Sequence, residues 1–179
     1  MNFKGHLVGG LVAGVSIIGI AQYSDFLYLN THAVDFFLQN PLNLEGDIAK
    51  AAGLFALTLF MSLFPDLDQT SIPQKWFFRV VFLLLVILFL INQLILFVIV
   101  TFFAIAPLLH KHRGWTHSWL TPFFISIFFA VLLEYFNSQA SVIKSFSLDR
   151  IILLFQDYWI YFLGCILGHY THLMLDLRK

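Results

Sequence analysis

The strongest constraint on this chain is a series of apolar runs of ~20 residues, about the length a helix needs to cross a hydrocarbon core. Apolar residues make up 60% of its 179 residues and charged residues only 11%. Mean hydropathy is +0.86, and 22 residues are Phe. In lipid, backbone polar groups must be satisfied within the segment, so such runs fold as helices. The expected fold is all-α: a multi-span helical membrane protein with about six transmembrane or re-entrant helices, residues 1–179 forming one integral membrane domain.

The first span is expected over His6–Gln22 and the second over Ile48–Phe64, ended by Pro65. Lys4 before the apolar Leu7–Ile20 resembles a signal peptide, but a small-x-small cleavage site is missing, so the segment reads as a retained span. The next apolar block is Trp76–Leu109. As one helix at ~1.5 Å per residue it would reach about 50 Å, against a hydrocarbon core of ~30 Å. Asn92-Gln93 lies near its middle, so two helices joined there, or a re-entrant hairpin, fit better. The fifth span is expected over Trp119–Leu133 and the sixth over Tyr158–Leu175, preceded by an interfacial turn at Ile151–Phe155.

Short groups of His and Asp end these runs: His6; Asp66 and Asp68; His110 to Ser118; and His169 to Asp176. Counting crossings with a hairpin at Asn92-Gln93 brings all four groups to one membrane face. A single long helix would split them between faces. Lys4, Lys75, Arg79, Lys111, Arg113, Arg178 and Lys179 fall on that face, and Lys50, Lys144 and Arg150 on the other. By the positive-inside rule the rich face, with both termini, is cytoplasmic. Glu134 and Asp157, at the opposite ends of the last two spans, read as interfacial charges.

Ionisable groups at membrane depth are costly and mark functional sites. His169, His172 and Asp176 share one helical face at spacings of three and four. A His and an Asp one turn apart can reach one metal ion, so His172 and Asp176 are candidate ligands, with His169 as a ligand or a support for one. Asp66 and Asp68, so close in sequence, repel unless a cation or proton neutralises them. They are candidates for ligation or for general-base work, although Pro-Asp is also a common turn former. His117 would open the fifth span facing the site, capped by Thr116 or Ser118. Arg113 offers a forked, permanent charge suited to a phosphate or carboxylate. His6 joins the set through its position on the same face, while His32, in the opposite loop, is left out.

Gly10 and Gly14 form a stripe with His6, and Gly164 and Gly168 one with His172, each at steps of four. Packing the first and last spans antiparallel along these stripes would bring the two imidazoles together, though glycine is also simply frequent in membrane helices. A net charge of zero gives no sign of nucleic-acid binding. Cys165 is the only cysteine, which excludes an intramolecular disulfide. Motifs of the GxxxxGK, GxSxG and HExxH types are absent.

The order His6, Pro65-Asp66-Leu67-Asp68, His112-Arg113-Gly114-Trp115-Thr116-His117-Ser118 and Gly168 to His172 to Asp176 resembles the YdjM-like family over nearly the whole chain. His112–Ser118 is the most specific part. Members of that family are described as LexA-regulated inner-membrane proteins and metal-dependent hydrolases. The resemblance implies a functional core of His6, Asp66, Asp68, His112, Arg113, His117, His172 and Asp176. Gly5 stands where threonine is expected before the first histidine.

Together these readings predict a membrane-bound metal-dependent hydrolase acting on a phosphoester or lipid-like substrate through a metal-activated water. His6, Asp66, Asp68, His117, His172 and Asp176 are the expected metal ligands. Asp66, Asp68, His112 and Arg113 are the expected catalytic residues. The expected ion is divalent zinc, with manganese or magnesium as alternatives. The expected partners are the lipid bilayer and that substrate. A divalent-metal carrier or sensor, or a regulatory membrane scaffold with a structural metal, are the rival readings. A carrier would need ligands near the midplane with access from both sides.

Overall fold

A computed structural model describes residues 3–27, 46–68, 71–109, 114–140 and 147–177. Among them are seven α-helices and no strand. These are α1 (Phe3–Tyr23), α2 (Asp47–Leu63), α3 (Ile72–Leu90), α4 (Leu94–Ile105), α5 (Thr121–Ala140), α6 (Leu148–Asp157) and α7 (Trp159–Leu177). Short 3₁₀ turns at Phe64–Asp68, Ala106–Leu109 and Trp115–His117 link them.

The core is a three-helix unit of α1, α2 and α7. The antiparallel pairing of α1 with α7 is as expected, but the glycine stripes face elsewhere. A Cβ on Gly10 would collide with Ser62 Oγ, and one on Gly14 would lie 2.7 Å from Phe55, both on α2. A Cβ on Gly164 would lie 2.7 Å from Thr58 Oγ1, and one on Gly168 would strike the Thr58 backbone carbonyl, again on α2. Gly9 supplies the close approach of α1 to α7, against Thr171 and Leu175. Both stripes therefore serve α2, which lies in contact with the other two helices, because small residues let backbones approach where bulky ones cannot.

The long apolar block folds as two helices with its break at the expected place. Asn92 takes the left-handed conformation, φ 56°, which asparagine tolerates better than most residues. Its N–H donates to Phe89 O at 3.1 Å and that of Gln93 to Leu88 O at 2.9 Å. This bond pair closes a helix end. The chain then returns, with Phe89 against Phe97 near the tip, 6.4 Å between ring centroids. At the base, Phe77 of α3 lies 6.0 Å from Phe60, and Phe103 of α4 lies 6.5 Å from Phe64. Both arms therefore rest on the end of α2.

Among the described residues, three segments are long and apolar enough to cross a membrane: α1, α2 with its 3₁₀ extension (Asp47–Asp68), and α3. A fourth arises if α6 and α7, bent by 72°, count as one span. Leu94–Leu108 and Thr121–Leu132 are shorter. This is fewer than the six crossings expected. The 12 residues of α4 reach only ~18 Å, which suits a re-entrant arm better than a full crossing.

Two expectations at the far end change. The interfacial turn is the helix α6, which is amphipathic and sharply bent from α7. Glu134 does not face solvent: it is 1% exposed. Arg150 of α6 approaches it at 3.6 Å, and the Ser147 N–H donates to it at 3.3 Å. The return of the chain through α6 covers it.

Candidate metal centre

Helix α2 ends in the 3₁₀ turn Phe64–Asp68, where Pro65 prevents the α-helix from continuing. Phe64 anchors the turn in an aromatic layer with Trp115, at 5.8 Å, and Phe103. The start of α3 clamps the turn from outside. Ser71 caps α3 by accepting the Gln74 N–H at 3.1 Å and donates to the Asp66 carbonyl at 2.8 Å. The Gln74 side chain donates to the Leu67 carbonyl at 3.0 Å. The aspartates thus leave a braced turn rather than a free loop.

Helix α7 delivers His169, His172 and Asp176 to the same end of the bundle, and α1 delivers His6. His6 and His172 stack, ring centroids 3.9 Å apart and planes within 14°. His6 Nε2 lies 3.2 Å from Asp176 Oδ1. His172 Nε2 lies 3.8 Å from Asp66 Oδ1 and 3.9 Å from Asp176 Oδ2. The turn Trp115–His117 adds His117, whose Nε2 is 4.0 Å from Asp176 Oδ2. The expected convergence of the four clusters is therefore present for His6, Asp66, Asp68, His117, His172 and Asp176. His112 and Arg113 lie outside the described residues, as do His110 and His32.

The histidine orientations carry the chemistry. His172 Nδ1 is 2.8 Å from the Ser62 carbonyl. A carbonyl only accepts, so Nδ1 carries the proton and Nε2 of the neutral ring keeps its lone pair. That Nε2 is buried and has no hydrogen-bond partner. Its neighbours are the carboxylates of Asp66 and Asp176, which when ionised are also only acceptors. Acceptors turned on acceptors in a buried place are unfavourable unless a cation or a proton lies between them.

The distances fit such an ion. Two ligands of one metal can be at most about 4.2 Å apart, twice a bond of ~2.1 Å. The four separations above run from 3.2 to 4.0 Å. Two groups of ligand atoms gather within 4.8 Å: His6, His172 and Asp176, and Asp66, His117 and His172. Asp68 belongs to neither group, and its Oδ2 accepts from Thr116 Oγ1 at 2.8 Å.

His169 is buried further along α7, and its Nε2 is 3.0 Å from the Ser118 carbonyl, so it holds the chain just after His117. Ser118 Oγ accepts the Leu120 N–H at 3.2 Å, and the Thr121 hydroxyl bonds the Trp115 carbonyl. Thr116, expected as a possible cap for the fifth span, turns inward to Asp68 instead. Ser62 was not foreseen. It acts through its main-chain carbonyl, which no side-chain pattern marks.

A helical membrane protein with a buried His/Asp group able to hold a metal ion is the class that this fold and site define. The profile of the family described as YdjM inner membrane protein matches residues 1–178, and the chain belongs to that family. No curated protein and no solved structure matches it.

Proposed function

We propose that this protein is a metal-dependent hydrolase of the inner membrane, acting on a phosphoester or lipid-like substrate. The observation that carries the reading is His172 Nε2: buried, without a hydrogen bond, proton held on the opposite nitrogen by Ser62, and facing two carboxylates. Zinc is the expected ion, since three imidazoles and two carboxylates suit it, with manganese or magnesium as alternatives. His172 would hold it, with the rest of the ligand set drawn from His6 and Asp176 and from Asp66 and His117. The two ligand groups share His172. With its Nδ1 bonded to Ser62, that ring has one nitrogen to offer, which favours one ion over two separate ones.

A divalent ion held there supplies a water that is deprotonated near neutral pH. Asp66, through an oxygen not used in holding the ion, would accept the proton. A cavity of about 180 Å³ beside the cluster is bounded by His117 and Asp176 on its polar side and by Trp119, Leu173 and Leu177 on its apolar side. Such a mixed wall suits an amphiphile whose reacting group faces the carboxylate while its tail remains in the bilayer. Arg113 and His112 enter on sequence grounds: Arg113 directly precedes Gly114, and its guanidinium suits the charge of a phosphoryl group. The Lys and Arg bias puts the site and both termini on the cytoplasmic side in this proposal.

The ligand atoms cluster at one end of the bundle, which favours local chemistry over a carrier with a midplane site. The test is metal content of detergent-purified protein by mass spectrometry, beside His117→Ala and Asp176→Ala. One stoichiometric ion in the parent, lost from folded variants, is the expected result, followed by turnover of a lipid phosphoester. An ion-free parent that binds added zinc no more tightly than the variants would overturn it.

A further inference from the structure

Behind His117 stands a second, buried polar unit that the ligand set does not use. Thr116 is 1% exposed. Its hydroxyl donates to Asp68 Oδ2 at 2.8 Å and lies 3.3 Å from His117 Nδ1. A hydroxyl has one proton. With that proton given to Asp68, Thr116 Oγ1 can only accept from His117. Nδ1 of His117 therefore carries the ring proton, and Asp68 Oδ2, 3.6 Å away, supports the same N–H. In the neutral ring, Nε2 is left with its lone pair on the side of Asp176.

We propose that Thr116, backed by Asp68, is the positioning pair that sets the tautomer and orientation of His117 for metal binding. The proposal rests on the metal-centre reading. It assigns the two aspartates of one turn to different tasks: Asp66 faces the ion, and Asp68 stands behind a histidine that faces it. A carboxylate or hydroxyl bonded to the far nitrogen of a ligating histidine raises its basicity and fixes its ring. The arrangement also ties two segments 48 residues apart through one hydroxyl, so the brace on the aspartate turn reaches His117.

Three variants separate positioning from mere packing. Thr116→Val keeps the shape and removes the hydroxyl, Thr116→Ser restores it, and Asp68→Asn keeps the size while removing the charge. Zinc affinity in detergent, measured by competition with a chromophoric chelator, is expected to fall roughly 10- to 100-fold for Thr116→Val and Asp68→Asn. Thr116→Ser should bind close to the parent, and Thr116→Val and Asp68→Asn should stay folded without metal while melting somewhat below the parent, since each weakens a buried hydrogen bond. Nitrogen NMR of the metal-free parent should show His117 protonated on Nδ1. Parental affinity in folded Thr116→Val, or a parent His117 protonated on Nε2, would overturn the proposal. The NMR measurement decides it even if a variant fails to fold. A parent that binds no zinc while His117 carries its proton on Nδ1 would sink the metal reading and leave the hydrogen-bond assignment standing.

Discussion

The three-helix unit of α1, α2 and α7 and the α3–α4 hairpin are both built from greasy sequence, the hairpin from the more apolar, but solve different problems. In the unit, glycines bring helices so close that a Cβ would strike Ser62 Oγ at one point and the Thr58 carbonyl at another. In the hairpin, Val80, Phe82, Leu83, Phe89 and Leu90 all face outward. Of the apolar window of α2, 39% is buried, against 11% for α3. Between helices in lipid there is little hydrophobic driving force, so close packing and polar bonds decide which helices associate. The polar site residues come mainly from the close-packed unit, where rigid backbone holds His6, His172 and Asp176 in register. The hairpin contributes a brace through Ser71, Gln74 and the Ala106 carbonyl, which accepts from Trp115 Nε1 at 3.4 Å.

The comparison is easiest to break at Gly168. Gly168→Val would force α2 and α7 apart, because the obstacle is main chain and cannot rotate away. The expected loss is about 1–3 kcal/mol or more, read by unfolding in detergent, with loss of metal retention because His172 is one turn further along. Parental stability would show that the unit is not close-packed. Asn92→Ala should be milder, about 1–2 kcal/mol from the left-handed backbone at that position, while Asn92→Gly should be tolerated. A rigid hairpin tip would show this difference in proteolysis as well as in melting. Phe82→Ala should be the mildest, within about 0.5 kcal/mol, since Phe82 is 70% exposed on the outer face. A loss there as large as that at Gly168 would mean that a further partner covers the hairpin.

Much of the architecture was legible because it depends on local properties. The length of the Trp76–Leu109 block required a break, and Asn92 marked it. Counting crossings from that break brought His6, Asp66, His117, His172 and Asp176 to one end, and the structure puts them there. The number of full crossings was overestimated because composition does not reveal that α4 is only 12 residues long. The burial of Glu134 was not legible for a related reason: the helix that returns over it is amphipathic and short, and its direction depends on a bend.

The sequence by itself determined the helical class, the membrane setting, the hairpin break and the composition of the cluster. Apolar run length, Pro65, Asn92 and the placement of His and Asp are all local signals. Tertiary structure alone decided which helix the glycine stripes face, since that depends on helix rotation and on a third element. It alone distinguished Asp66 from Asp68. In a 3₁₀ turn, residues two apart point in different directions, at ~120° per residue, so one carboxylate meets His172 and the other meets Thr116. It alone supplied the Ser62 carbonyl that orients His172, because a backbone acceptor has no sequence signature until the fold brings a donor to it.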